Sequence, residues 1–445
     1  MKVVIAGGGI AGIIGSIILA EKGDSVTLVE SGESCGGLLR SYQAPNGTEY
    51  DYGTHILKET GHQMVDDLVF GKLEPEKWQN LDRLRVGNYF GGDIYPTSQF
   101  IDIRKLPSGS FDKALVEYIS LGEEISTGNL EEYAKSFYGP TLTEELWKPL
   151  MAKLFGQDLA DLDVSALSLV GYGRVIALDR HQTIEIKKSE MYDRKFGHAT
   201  WDEGLSSQMN FYPVAEGIEL WIKQLLRQAE EAGVTILTGT SIDKIEHCNT
   251  KVNQVNLSSG DAIEVDRLIW TLPTSLLFRN AGVEFQADPP LFRSSILLNF
   301  EFDAPFLTDL YFLYCNDPDM LSFRITLYPN LRELPEGEEP PYNCTVEVMA
   351  DEEVFLDEAR VRERVLGELV TMGIIAPEHQ IVHEKIFSSK KGFPIPTVSY
   401  KQNSERLYDE VKAEFSNVDV IGRGSGKVHF MHEVMVDLWE TLAPA

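Results

Sequence analysis

A chain of 445 residues with 43% hydrophobic and 24% charged side chains can bury full-sized cores. That excludes a disordered or fibrous sequence and allows two to four units at roughly 100–200 residues each. Forty basic residues against 69 acidic ones give a formal net charge of −29, a surface that repels phosphate backbones and anionic lipid and so disfavours nucleic-acid or membrane-surface binding.

Lys2 to Ala6 reads as a short buried strand, followed at once by Gly7-Gly8-Gly9-Ile10-Ala11-Gly12 and an apolar helix to about Lys22. The stretch from Val3 to Ala20 is uncharged, but its glycines divide it into strand, turn and helix, so a strand–turn–helix is expected there and not a signal peptide or membrane span. In this GxGxxG, Gly7 permits the tight turn, Gly9 lets backbone approach a pyrophosphate and Gly12 lets helix pack on strand. Ile10 and Ala11 then present the helix N-terminus to the phosphates. A second strand, Ser25 to Glu30, ends in an acid at close to the ~20-residue spacing of a dinucleotide site. Glu30 should accept from an adenosine ribose, and its charge disfavours a 2′-phosphate.

Gly36-Gly37 and Arg40 come next, then Tyr50-Asp51-Tyr52-Gly53-Thr54-His55. On these residues the sequence resembles the FAD-binding superfamily of amine oxidases, protoporphyrinogen oxidase and UDP-galactopyranose mutase. The resemblance implies FAD as cofactor, with Gly36, Gly37, Leu38 and Arg40 along the phosphates and ribityl chain, Ser31 beside Glu30, and Gly53, Thr54 and His55 beside the flavin ring. His55 can equally be a satisfied structural histidine.

Between about 61 and 204 the patterns are helical. Thr141-x-x-Glu144 predicts a capping box for a helix carrying Leu146, Trp147, Leu150, Met151 and Leu154, and Pro149 predicts a kink or early stop. The stripe reads as core. From Tyr212 to Pro273 an amphipathic helix to Ala232 and strands near Val234 to Leu237, Ser241 to Glu246 and Asp266 to Pro273 resemble the superfamily's second visit to the FAD domain, where Ile242 would offer backbone to the adenine. Ser295 to Phe302 alternates as a sheet strand, and Glu333 to Pro341 reads as a solvated acidic loop. The closing segment, from Gly392 through Gly422-Arg423 to Met431-His432-Glu433-Val434, resembles the superfamily's last flavin segment, with a strand ending at Gly422-Arg423 and a helix from near Met431 aimed at the ring. The four cysteines (Cys35, Cys248, Cys315, Cys344) form no CxxC pair or zinc spacing, so reduced thiols, no metal site and a cytoplasmic location are expected.

The resemblance thus implies an α/β fold, a Rossmann-like (GR2-type) FAD-binding domain with an inserted α+β substrate domain. Residues 1–60, 205–273 and 393–445 would form the first, and 61–204 and 274–392 the second. Amine oxidases carry a flavin-side lysine where this chain has Leu297. Leu321-Ser322-Phe323-Arg324-Ile325 looks like the mutase segment whose arginine grips a diphosphate. A phosphate-binding tyrosine is replaced by Phe393, and the uridine-stacking motif is missing around Lys153-Leu154-Phe155. The reading is an FAD-dependent oxidoreductase acting on a small anionic substrate, with His55 and Arg324 as catalytic candidates. A redox-neutral mutase of a nucleotide sugar, using reduced FAD, remains the alternative, and a non-catalytic flavoprotein is third. Nothing in the sequence sets the oligomeric state.

Overall fold

The computed structural model describes residues 1–121, 128–169, 171, 173–197, 208–334, 337, 339–351, 354 and 357–443. The 204/205 boundary and part of the acidic loop expected at 333–341 lie outside the described residues.

The apolar run Lys2–Ala6 is the central strand of a five-stranded parallel sheet. The order is Thr235–Leu237, Ser25–Val29, Lys2–Ala6, Arg267–Trp270, Val418–Val420. All four pairings are parallel, so both faces need cover. Helix Ile10–Glu21 supplies much of it, burying Ile13, Ile14, Ile17 and Ile18 against helices Glu219–Glu231 and Met431–Leu442. The closing strand ends at Val420, two residues before the expected Gly422, and Gly422–Ser425 instead forms a 3-10 turn.

A seven-stranded sheet lies beside it: Ile381–Pro394, Phe292–Phe302, Tyr342–Ala350, Ser322–Leu327, Phe312–Cys315, Val86–Phe90 and Asp93–Tyr95. Every neighbouring pair is antiparallel except Phe312–Cys315 with Val86–Phe90. The period-two alternation gives this sheet one apolar face and one polar face. Ile296, Leu298, Phe300, Val346 and Val348 pack under helix Glu358–Thr371. The opposite face carries the cross-strand rows Leu297–Glu347–Arg324 and Asn299–Thr345–Thr326. Several buried polar groups there pair with one another: Thr345 Oγ1 donates to Asn299 (2.6 Å), and Tyr328 OH contacts Thr345 (2.8 Å) and accepts from the Asp51 amide (3.0 Å).

The predicted capping box at Thr141 does not form. The helical run opens instead at Gly139-Pro140, with Gly139 at φ 96 and no side-chain cap. The Thr141 amide donates to Glu117, while its hydroxyl is buried without a partner. Pro149 does not stop the helix. A wide π turn over Thr143–Trp147 precedes the segment Lys148–Phe155 and places the proline in its first turn, where the missing N–H costs least. The Leu146-to-Leu154 stripe is core, as its spacing predicts. Cys35, Cys315 and Cys344 are buried free thiols and Cys248 is an exposed one. Among the described residues, no helix is long and apolar enough to cross a membrane.

Candidate active site

The glycine-rich loop sits at the carboxyl end of the central strand. Gly7 turns at φ 100, and a Cβ there would lie 2.4 Å from Thr271 Oγ1. Gly12 lets the helix close on the loop, since a Cβ would fall 1.9 Å from the Gly7 carbonyl oxygen. Gly9 differs from both: its φ is −75, and a Cβ would meet nothing within 4 Å. The backbone therefore does not need glycine at position 9, but an occupant approaching the loop would. The helix after it has no side-chain cap and no acid in its first turn. Its Ile10, Ala11 and Gly12 amides are thus a ready anion site.

Glu30 holds this loop together rather than standing free. Its carboxylate accepts from the amides of Gly8 and Gly32, each at 2.7 Å. Ser31 Oγ donates to it at 3.3 Å, and the lone pairs not engaged by these contacts remain for a ribose. Gly36 N donates to the Gly8 carbonyl at 2.7 Å, and a Cβ on Gly37 would lie 3.5 Å from Gly9 Cα. Arg40 Nε donates to the Gly37 carbonyl (3.0 Å), with its guanidinium over the Tyr52 ring, while Leu38 is 57% exposed. These features fit FAD: open space at Gly9, uncapped amides, and an acid and a second glycine pair converging on one loop.

The closing segment reaches the same place. A Cβ on Gly422 would meet Ala11 Cβ at 2.9 Å, and Val434 is core behind it. Arg423 donates to the His429 carbonyl (2.8 Å). Glu433 caps the last helix, accepting from the His429 and Phe430 amides, each at 3.0 Å. Met431 is half-buried and His432 exposed, its ring stacked on Phe430. Ile242 starts a separate three-stranded sheet; its side chain is core and its carbonyl is taken by Asn280 Nδ2 at 2.6 Å.

Gly53, Thr54 and His55 lie against the polar face of the seven-stranded sheet. Arg324 Nε and Nη2 donate to Glu347 at 2.6 and 2.9 Å, a bidentate pair whose side chains are 22% and 14% exposed. A Cβ on Gly53 would sit 3.4 Å from the same carboxylate. The Thr54 amide donates to Glu347 Oε1 at 3.2 Å, and its hydroxyl contacts both Glu347 and Thr326. The guanidinium is also flanked by the rings of Tyr314 and Phe323. Burial opposes ionisation of Glu347, yet Arg324's charge and hydrogen bonds win and hold its carboxyl below the ordinary range. His55 is pushed down to about 4, first by burial and then by Arg324, so it is neutral at pH 7. Its Nε2 lies 3.3 Å from the Tyr52 carbonyl.

The structure therefore brings the glycine loop, Glu30, Gly36, Gly37 and Gly422 together, and brings Gly53–His55 to Arg324. The sequence reading missed Glu347, which leaves Arg324 with its charge already balanced. The signal was present in the alternating polar residues Asn343, Thr345 and Glu347 of one strand.

Residues 10–408 match the profile of the flavin containing amine oxidoreductase family. The chain belongs to that family and is an FAD-dependent oxidoreductase-superfamily enzyme. It is 23% identical to a 4,4'-diaponeurosporene oxygenase of Staphylococcus aureus (strain bovine RF122 / ET3-1), over 93% of this chain and 89% of that protein. The protein of the same description in strain USA300 is 25% identical over 60% of this chain and 54% of its own length. Among solved structures, a reduced UDP-galactopyranose mutase superposes with a TM-score of 0.78 at 19% identity, covering 99% of this chain and 93% of that one. A putrescine oxidase bound to putrescine gives 0.63 at 12% identity, covering 99% and 98%. At these identities, the likenesses to solved structures establish the fold.

Proposed function

We propose that this enzyme carries out redox chemistry on a small, anionic substrate bound where Gly53–His55 meets the polar face of the seven-stranded sheet. One observation carries the reading: the Arg324–Glu347 pair is packed against Gly53 and Thr54, so the cofactor-side segment and the substrate-side sheet share one wall. The FAD-binding unit is then 1–60, 205–273 and 393–445, and the substrate unit 61–204 and 274–392. Strands of the parallel sheet drawn from residues 2–29, 235–270 and 418–420 support this division, although strand Ile381–Pro394 of the substrate sheet runs to Pro394.

Bound FAD supplies two-electron chemistry at its isoalloxazine. The Gly9–Gly12 amides, Glu30, Gly36, Gly37 and Arg40 hold it, and neutral His55 contributes a hydrogen bond instead of a charge. Glu347 fixes the plane of Arg324, whose remaining donors orient a substrate oxygen. Leu297, the cross-strand neighbour of Glu347, adds no charge to this wall. A second reading is favoured by Arg324 itself, held on a strand beside His55: a redox-neutral mutase acting on a nucleotide sugar. Anaerobic mixing tests both. Bleaching of the oxidised flavin by substrate supports the first. Turnover only after prior reduction, with no reductant consumed, refutes it and supports the second.

A further inference from the structure

Arg293 is the one described guanidinium that combines near-complete burial with the absence of any described carboxylate at ion-pair distance. It is 9% exposed and lies in strand Phe292–Phe302, on the same alternating row as Leu297. Of its five donors, Nη2 reaches the Lys153 carbonyl at 3.0 Å, near the C-terminus of helix Lys148–Phe155, while Nε is buried with no partner. Gly156, at φ 65, makes room for it: a Cβ there would fall 2.7 Å from Nη1. Burial depresses its basicity, and Asp351, an exposed acid, acts on it through space alone. Two other cations in buried surroundings are matched. Arg324 has Glu347, and Lys195 has two carbonyls and two aromatic faces. A nearly buried guanidinium with an orphaned donor is costly unless something supplies the missing acceptors.

The surroundings indicate what that is. Arg293 is the cross-strand partner of Phe393, whose ring centroid lies 6.3 Å from that of Phe155. The arginine therefore lies beside a pair of packed aromatic rings, in a chain whose net charge of −29 would otherwise repel anions. We infer that Arg293 is the anchor for an anionic group of the substrate, a carboxylate or a phosphate, held at the end of the site remote from Arg324. Resting on the proposed function, this places the anion four residues along the strand from Leu297, about 14 Å at ~3.4 Å per residue. The substrate is then elongated, with its charge at one end and its reacting part at the other. The Lys153 carbonyl fixes the guanidinium plane so that the remaining donors can grip two oxygens at once.

The test is calorimetric titration of the FAD-loaded full chain, in chloride buffer, with inorganic phosphate, pyrophosphate and succinate. At least one should bind saturably, and which one does identifies carboxylate or phosphate as the source. Arg293→Met should weaken that binding about ten- to a hundredfold, the loss expected for a charge-assisted contact, with the flavin spectrum unchanged. No binding by any of the three, or equal affinity in the variant, overturns the inference. So does loss of binding in Arg324→Gln with none in Arg293→Met, which would leave the functional reading intact. A chain that retains no FAD would instead sink that reading. Should Arg293→Met fail to fold, hydrogen exchange on the wild-type protein decides: anion-dependent protection at 153–156 and 292–295 supports the site, and protection only elsewhere refutes it.

Discussion

Replacing Glu347 with glutamine isolates the Arg324–Glu347 pair, because the amide keeps the shape and one acceptor oxygen while removing the charge. Glu347 accepts four contacts, two from Arg324 (2.6 and 2.9 Å) and two from Thr54 (3.2 and 3.3 Å). The variant leaves a largely buried guanidinium uncompensated. Breaking such a pair from one side costs about 3–5 kcal/mol, and the residual exposure of Arg324 puts the expectation near the lower figure, about 3 kcal/mol. The cost depends on pH in a defined direction. Although burial opposes it, the folded carboxyl of Glu347 is held below its unfolded value, so its stabilisation is present above the unfolded pKa of about 4.3 and lost as pH falls through the folded value. Urea unfolding of wild type and Glu347→Gln from pH 7 to pH 3 should show the difference shrinking with acid. His55, which Glu347 pulls upward, should titrate still lower in the variant by NMR. A Glu347→Gln protein within about 0.5 kcal/mol of wild type at pH 7, with an unchanged acid slope, would mean that the pair is solvated and worth little.

Gly9→Ala should melt like the wild-type apoprotein yet retain FAD poorly, whereas Gly12→Ala should lose stability with or without cofactor; thermal melts and released-flavin assays separate the two. Arg324→Gln should raise the His55 pKa above its value of about 4, because the repulsion goes while Glu347 stays, and NMR titration of the ring reads it directly. Burial lifts the Asp51 carboxyl to about 6 despite its bonds to Ile218, Ser41 and Tyr212. An acid whose folded pKa is raised favours the fold when protonated, so its contribution falls as pH rises from about 4 through 6. Asp51→Asn should flatten the stability profile across that window.

The cofactor side was legible because its chemistry is local. The packing at Gly12 is demanded by the Gly7 carbonyl within one strand–turn–helix and the open space at Gly9 lies on the same turn, so most of the motif carries its own context; only the turn at Gly7 is closed by a distant residue, Thr271. The helix at 140–155 was legible in its buried face but not in its start. The amide that the supposed capping box would have satisfied is claimed instead by Glu117, on another helix. At Ile242 the backbone carbonyl is likewise engaged by a residue distant in sequence, Asn280, which the strand pattern alone does not reveal. In both cases the partner is polar and distant.

The substrate side depends on register, and register is not written in any one segment. Phe323-Arg324-Ile325 reads as a free cation until the pairing of Ser322–Leu327 with Tyr342–Ala350 sets Arg324 opposite Glu347. A slip of one residue would send that carboxylate to the apolar face. Arg293 is inconspicuous in sequence for the opposite reason. Nothing local marks it, and only the meeting of its strand with Gly156 and the Lys153 carbonyl shows a buried guanidinium that no described carboxylate pairs with. The strongly acidic exterior sharpens the contrast. Anions are repelled at long range, so on the proposed function the attraction for the substrate lies inside, at a cation without a counter-charge of its own. Arg324 is paired with Glu347 on the wall that joins the two halves of the site; Arg293 has no such partner among the described residues.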